Sequence, residues 1–235
     1  MTDGIDWNAI EQFVGYGAPD APFVFVGTEE GLDKYADLEH DLLTRSRYRP
    51  YMDLLAAQGA LACGNEYIGE HVKSQRTWRP MCDLMLRFEN TAPTDELRKR
   101  YQGTRLGRIP GQTLLAELLP YPRNKADGSW PYTQWNRFGD FEQYKNALLL
   151  PRINLLRTAI HAHPPKLIVC YGKTYWDEYA RLANVQEWRD AGAFRFGKDA
   201  STGAGVVLTW HFTRAPFNTD EQLAQFYQHA KSALE

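Results

Sequence analysis

Three short apolar runs each end on, or enclose, a side chain able to hold or move a proton. Glu29 and Glu30 follow Phe23-Val24-Phe25-Val26-Gly27-Thr28, Glu117 lies within Thr113-Leu114-Leu115-Ala116-Glu117-Leu118-Leu119-Pro120, and His211 follows Val206-Val207-Leu208-Thr209-Trp210. A carboxylate beside a crevice serves as a general base, a metal ligand or an electrostatic partner for a developing cation. Two acids and a histidine around one cleft suit hydrolysis at a glycosidic carbon. They equally suit a divalent metal site. Each residue also has a plainer role when taken singly. Glu29 and Glu30 are then helix-entry charges, Glu117 is salt-bridged to an arginine, and His211 is a satisfied structural histidine.

Convergence of residues so far apart in sequence requires a sheet. The run at 23–26 is too short for a helix and reads as a strand buried on both faces. Gly27 breaks it, and Gly31 permits a second turn before a helical pattern over 32–43. Residues 113–120 form the next strand, in which Glu117 must be paired, protonated or bound to something. Lys166-Leu167-Ile168-Val169-Cys170-Tyr171-Gly172 is the third, and Gly172-Lys173-Thr174 opens a helix to about residue 182. Ile168 stands where a phosphate-binding loop needs glycine, so that Gly-Lys-Thr is no nucleotide site. Residues 194–196 and 206–210 are edge strands joined by a glycine-rich turn, and the second delivers His211.

Helices are expected over 6–14, 51–58, 75–88 with Pro80 in its first turn, 96–101, 140–161 with an interruption at Pro151, and 220–234. Within 75–88, Trp78, Met81, Leu84, Met85 and Phe88 form a core stripe. The alternation predicts one domain over 1–235, an α/β fold built as a three-layer α/β/α sandwich on a mostly parallel sheet. In such a sheet the carboxyl ends of the strands share one edge, where Glu29, Glu117 and His211 would meet.

Composition narrows the classes. The chain has 235 residues, seven Trp, thirteen Tyr and a formal net charge of −2. That excludes a disordered or fibrous protein and a global basic field. Cys63, Cys82 and Cys170 lack metal-ligand spacing and read as reduced, partly buried thiols, with neither a zinc site nor an iron–sulfur cluster. No apolar run approaches the ~18–20 residues that span a bilayer. The start lacks a secretory pattern, so a soluble, cytoplasmic protein is expected. Local basic segments remain. Arg45-Ser46-Arg47-Tyr48-Arg49-Pro50-Tyr51 reads either as a solvated connector or as a phosphate-contacting, base-stacking segment. Arg98-Lys99-Arg100 with Arg105 and Arg108 reads as a solvated charged face. The loop carrying Arg123, Lys125, Trp130, Tyr132 and Trp135 interleaves basic and aromatic residues, as nucleic-acid or sugar surfaces do.

These pieces together resemble the uracil-DNA glycosylase superfamily. Residues 23–31, Phe-Val-Phe-Val-Gly-Thr-Glu-Glu-Gly, look like its first motif, an apolar strand followed by Gly-x-(Asp, Asn or Ala)-Pro. Residues 165–173 look like the strand before its last crossover helix, and 206–213 like the strand leading into its His-Pro-Ser motif. The resemblance implies a uracil-DNA glycosylase-like fold and base flipping followed by cleavage of the bond between sugar and base. Glu29 falls at the water-activating position and His211 at the position that stabilises the departing base. Glu117, with Thr28, falls where the base edge is read. Arg123, Lys125, Lys173, Thr213, Arg214 and Phe217 would meet DNA, with Phe217 or Arg214 as the wedge that fills the gap. The implied partner is DNA carrying a modified or damaged pyrimidine, bound by a monomer with no cofactor, no metal and no membrane.

The departures from the family carry information. Glu30 replaces its proline, Phe212-Thr213 replaces Pro-Ser, and the four cysteines of the iron–sulfur branches are absent. Where the family reads uracil with an asparagine, an ionised Glu117 only accepts, which suits the exocyclic amine of a cytosine-type base. A modified cytosine is therefore favoured over uracil, as in relatives that excise glucosylated hydroxymethylcytosine from phage DNA in anti-phage defence. The alternatives are uracil excision in base excision repair, a non-cleaving protein that binds modified DNA, and a hydrolase of nucleosides or small glycosides.

Overall fold

The apolar run after Pro22 forms strand β2 (Phe23–Gly27), near the middle of an eight-stranded sheet. The computed structural model describes residues 4–32, 37–61, 65–123 and 130–235. The other strands are β1 (Gly15–Gly17), β3 (Tyr51–Met52), β4 (Thr113–Glu117), β5 (Leu167–Tyr171), β6 (Arg189–Ala191), β7 (Phe194–Lys198) and β8 (Gly205–Thr209). Their order is β3-β1-β4-β2-β5-β8-β7-β6. The inner strands β4, β2, β5 and β8 are mutually parallel, with Gly27 opposite Glu117, Val26 opposite Cys170 and Tyr171 opposite Thr209. β1 runs antiparallel to β4 with β3 parallel to it, and β7 and β6 continue antiparallel on the far side.

Side-chain alternation along these strands builds two cores, which is why their sequences are apolar at nearly every position. Phe23, Phe25, Leu115, Val169, Tyr171 and Val207 pack on one face with α3 (Leu54–Gly59), α4 (Arg79–Phe88), α5 (Asp95–Thr104) and α8 (Asp220–Leu234). Val24, Val26, Leu114, Ala116, Ile168, Cys170, Val206 and Leu208 pack on the other with α6 (Phe141–Ala162) and α7 (Trp176–Ala180). Fully buried side chains such as Phe25 and Leu84 each contribute roughly 1.5–3 kcal/mol. The stripe on α4 is core, as its spacing implies. A third, aromatic cluster gathers Tyr121, Tyr132 and Tyr144 with Trp7, Trp130 and Trp135, beside α1 (Trp7–Gln12) and α2 (Leu38–Arg45).

Helix ends follow local chemistry. Thr219 and Gln222 form a reciprocal capping box at α8, and Asp140 accepts from the Gln143 amide at the start of α6. α6 runs as one helix through Pro151 rather than stopping there. The helix expected from residue 32 begins only at Leu38, where Asp37 caps it. The one expected from residue 51 yields Tyr51–Met52 to β3, and Asp53 caps α3 instead. Residues 75–78 precede α4 as a turn held by the Gln75 side chain, which accepts from the Trp78 amide at 3.0 Å. After β5 the expected helix is a short 3-10 turn, Lys173–Tyr175, followed by α7.

The basic run of α5 is not a solvated face throughout. Arg98 is only 4% exposed and bonds Asp83, Asp95 and Asp220, tying α5 to α4 and α8. Arg105 pairs with Glu89 and Arg108 with Asp53, while Lys99 and Arg100 are exposed. Cys82 and Cys170 are buried and unbridged; Cys63 lies outside the described residues. Among the described residues no helix is long and apolar enough to cross a membrane.

Candidate functional site

The carboxyl edge of the four parallel strands carries the chemistry. Glu117 ends β4 directly beside Gly27, and Tyr171 ends β5 on the opposite side of β2. Tyr171 Oη donates to Glu117 Oε1 at 3.2 Å. The bond passes over the glycine: a Cβ there would sit 2.2 Å from Glu117 Oε2 and 2.4 Å from Tyr171 Oη. Burial first, and then the charge of Glu117, push the Tyr171 phenol well above its ordinary range, so it remains a donor. The Tyr171 ring stacks on Phe212 at 4.5 Å and meets the His211 ring edge-on at 5.7 Å. His211 Nδ1 accepts from the Thr213 amide at 3.3 Å and lies 2.8 Å from Thr213 Oγ1. With Nδ1 engaged as an acceptor, the neutral ring carries its proton on Nε2. Glu117, Tyr171 and His211 therefore form one row.

The loop carboxylates diverge. Beyond β2 and β4 the two chains continue side by side, with Leu119 N bonding Thr28 O at 2.7 Å and Arg123 N bonding Glu30 O at 2.9 Å. Glu29 turns toward the aromatic cluster, where its side chain is 1% exposed and Oε1 accepts from Arg123 Nη2 at 2.9 Å. The Arg123 guanidinium lies 3.7 Å from the centre of the Phe141 ring. Nearby, burial and then the Glu29 charge push the Tyr175 phenol up to about 12.

Glu30 turns to the face shared by Glu117 and Tyr171. Tyr16 Oη donates to Glu30 Oε1 at 2.9 Å, and Arg45 Nη1 bonds Oε2. Arg45 also bonds Tyr16 Oη at 3.2 Å. Burial opposes the Arg45 charge, but Glu30, Tyr16 and Tyr48 outweigh it and hold the guanidinium well above its ordinary range. The charge of Glu30 extends to Tyr171, whose phenol it also raises. Of the two loop carboxylates read from the sequence, the structure thus sets Glu30 on the face of Tyr16 and Tyr171 and sequesters Glu29, to which the resemblance assigns the water-activating position.

Other expected contacts divide similarly. Thr28 is buried, and its hydroxyl lies 3.1 Å from Tyr179 Oη on the α7 side of the sheet, away from the row. Lys173 is exposed with its ammonium 5.0 Å from the centre of the Trp210 ring, and Arg214 is exposed beyond His211. Phe217 cannot act as a wedge: it is 3% exposed and packed against Phe194, Phe212 and Phe226. Arg123 is engaged by Glu29 and Phe141, and Lys125 lies outside the described residues. Tyr132 is buried and bonded to Pro122 O, so the aromatics of that loop serve the third core. In the 45–51 stretch Arg45 and Tyr48 are buried, whereas Arg47 and Arg49 remain exposed.

Sequence reasoning missed Tyr171, Tyr16 and Arg152, and read Arg45 only as part of a connector or phosphate-contacting segment, whereas it is the partner of Glu30. Tyr171 alone left a signal, as a polar-tipped aromatic at the last position of a buried strand. Arg152, from α6, is buried and spends its Nη groups on backbone carbonyls: Glu11 O at 2.9 Å, Phe13 O at 2.8 Å and Glu117 O at 2.8 Å. Burial lowers its pKa to about 10, against the opposing charges of Tyr144 and Glu117.

A surface cleft of about 390 Å³, lined in part by Trp188, Phe196 and Lys198, lies toward the amino end of β8 and touches none of these residues. The candidate site is the carboxyl edge, marked by its chemistry: two carboxylates, a phenol and an imidazole on one face. Such a set can accept from an amino group, stabilise a developing cation and donate to a departing anion. No protein-family model matches the chain, and none of the curated proteins compared with it is similar to it.

Proposed function

We propose that this protein is a DNA glycosylase of the uracil-DNA glycosylase type, hydrolysing the bond between sugar and base of a flipped, modified pyrimidine and leaving an abasic site. The observation that carries the reading is the row Glu117–Tyr171–His211 at the carboxyl edge of β4, β5 and β8. Glu117, held by the Tyr171 phenol, accepts from the exocyclic amine of a cytosine-type base, which favours a modified cytosine over uracil. Glucosylated hydroxymethylcytosine of phage DNA belongs to that class and would place the enzyme in defence. A carboxylate of the loop after β2 steadies the oxocarbenium-like sugar and orients the attacking water. His211 Nε2–H faces the negative charge that collects on the leaving base. Lys173 and Arg214 supply the cationic contacts to phosphates.

One observation favours a second reading. Both loop carboxylates are ion-paired to arginines, as they would be in a non-cleaving protein that holds modified DNA. The test is incubation with DNA carrying uracil, cytosine, hydroxymethylcytosine or its glucosylated form, followed by alkali to reveal abasic sites. Abasic sites from one base establish the glycosylase and name its substrate. Bound but uncleaved DNA of every kind establishes the binding protein. Cleavage of free nucleosides with little salt dependence would replace both readings with a nucleoside hydrolase.

A further inference from the structure

We infer that Glu30, rather than Glu29, is the carboxylate that meets the sugar and its water; this rests on the glycosylase reading above. The two neighbours differ in every property the role demands. Glu29 is 1% exposed, takes two bonds from Arg123 through one oxygen, and lies beside the aromatic cluster under an arginine stacked on Phe141. Water and a sugar reach it only after that pair is dismantled. Glu30 is 20% exposed and is gripped from its buried side by Tyr16 and Arg45.

That grip fixes the orientation of Glu30 before substrate arrives, which is what electrostatic stabilisation of a transition state needs. Tyr16, which holds Glu30, and Tyr171, which holds Glu117, pack in the same core on one face of the sheet, so Glu30 and Glu117 act on one substrate from that face. In the reaction the bond from the anomeric carbon to the base nitrogen breaks, and its electron pair leaves with the base. The oxygen of water bonds the anomeric carbon, and the proton released from that water passes to Glu30. Tyr16 and Arg45 are positioning residues here. They touch Glu30 and not the substrate.

The experiment is single-turnover excision by the wild-type protein, Glu29→Gln, Glu30→Gln and Glu30→Asp, alongside the affinity of each for the same DNA. Glu30→Gln is expected to lower the rate by ~10²-fold or more, at least tenfold beyond Glu29→Gln, with DNA affinity retained and part of the rate restored in Glu30→Asp. Because Glu30→Gln leaves Arg45 without its anion, the double variant Glu30→Gln/Arg45→Met removes both charges and guards against a simple folding defect. A folded double variant that excises within about threefold of wild type overturns the assignment, as does a larger loss in Glu29→Gln than in Glu30→Gln. A wild-type protein that frees no base from any DNA instead overturns the glycosylase reading, and the assignment with it.

Discussion

Tyr171 reaches Glu117 across an intervening strand, because the residue between them on β2 is Gly27. Neighbouring strands lie ~4.8 Å apart, so a side-chain bond from β4 to β5 must cross the full width of β2. Any side chain at the crossing point would occupy the space of the bond. Glycine serves here for its missing Cβ, with no demand for an unusual backbone conformation.

The first prediction concerns that crossing. Gly27→Ala places a methyl group where the Glu117 carboxylate and the Tyr171 hydroxyl now meet. Glu117 can swing aside, whereas Tyr171 is stacked on Phe212 and cannot follow. We expect a stability loss of about 1–3 kcal/mol, seen as a drop of several degrees in thermal unfolding. Excision should fall further than stability explains, by about tenfold or more, with the residual protein folded at assay temperature.

Base preference is the second. Glu117→Gln exchanges an acceptor for a group that both donates and accepts. The ratio of excision of a cytosine-type base to that of uracil should fall by about tenfold or more, the scale of one base-edge contact. Competition between the two substrates in one reaction measures the ratio directly. An unchanged ratio would remove Glu117 from base recognition.

Arg152 underlies a third prediction, about stability rather than chemistry. Its two Nη groups satisfy three carbonyls at the junction of α1, β1 and β4, including that of Glu117. Arg152→Met fills similar space and leaves those acceptors without their donor. At about 1 kcal/mol or more for each, the loss should reach about 3 kcal/mol in denaturant unfolding. Arg152→Lys should recover part of it, since an ammonium reaches fewer of the three at once.

How far this arrangement could be read from sequence depended on where each residue's partner lies. β2, β4 and β5 are legible because a strand buried on both faces must be apolar at nearly every position; β8, expected as an edge strand, lies inside the sheet between β5 and β7. β1 is not legible, since Gly15-Tyr16-Gly17 is chosen for close approach: a Cβ on Gly15 would strike Leu115 O at 2.3 Å. Glu117 and His211 were legible as polar groups at strand ends, and both lie against Tyr171. The choice between Glu29 and Glu30 was not legible. It is made by Arg123 and Arg45, one far along the chain and one at the end of the next helix, each of which claims one of the carboxylates. The same holds for the basic runs, where Arg98 looks like surface until Asp220, from the last helix, closes on it.

The fourth prediction is a pH dependence with its sign fixed by burial. His229 on α8 packs against Phe194 at 4.7 Å and Phe196 at 5.4 Å, and its buried Nε2 has no hydrogen-bond partner among the described residues. Burial lowers its pKa below the ordinary histidine value. The unfolded chain therefore binds a proton at a higher pH than the folded one, and stability must fall as pH drops through the ordinary value near 6.5 toward the folded one. Above that window the ring is neutral in both the folded and the unfolded chain, and the proton-linked penalty is absent. Thermal unfolding followed from about pH 7.5 to about pH 5.5 should show the melting temperature falling, and His229→Leu should make that fall shallower while matching or exceeding wild type at the acid end. A wild-type and a variant curve that run parallel across this range would show that His229 titrates alike in both states.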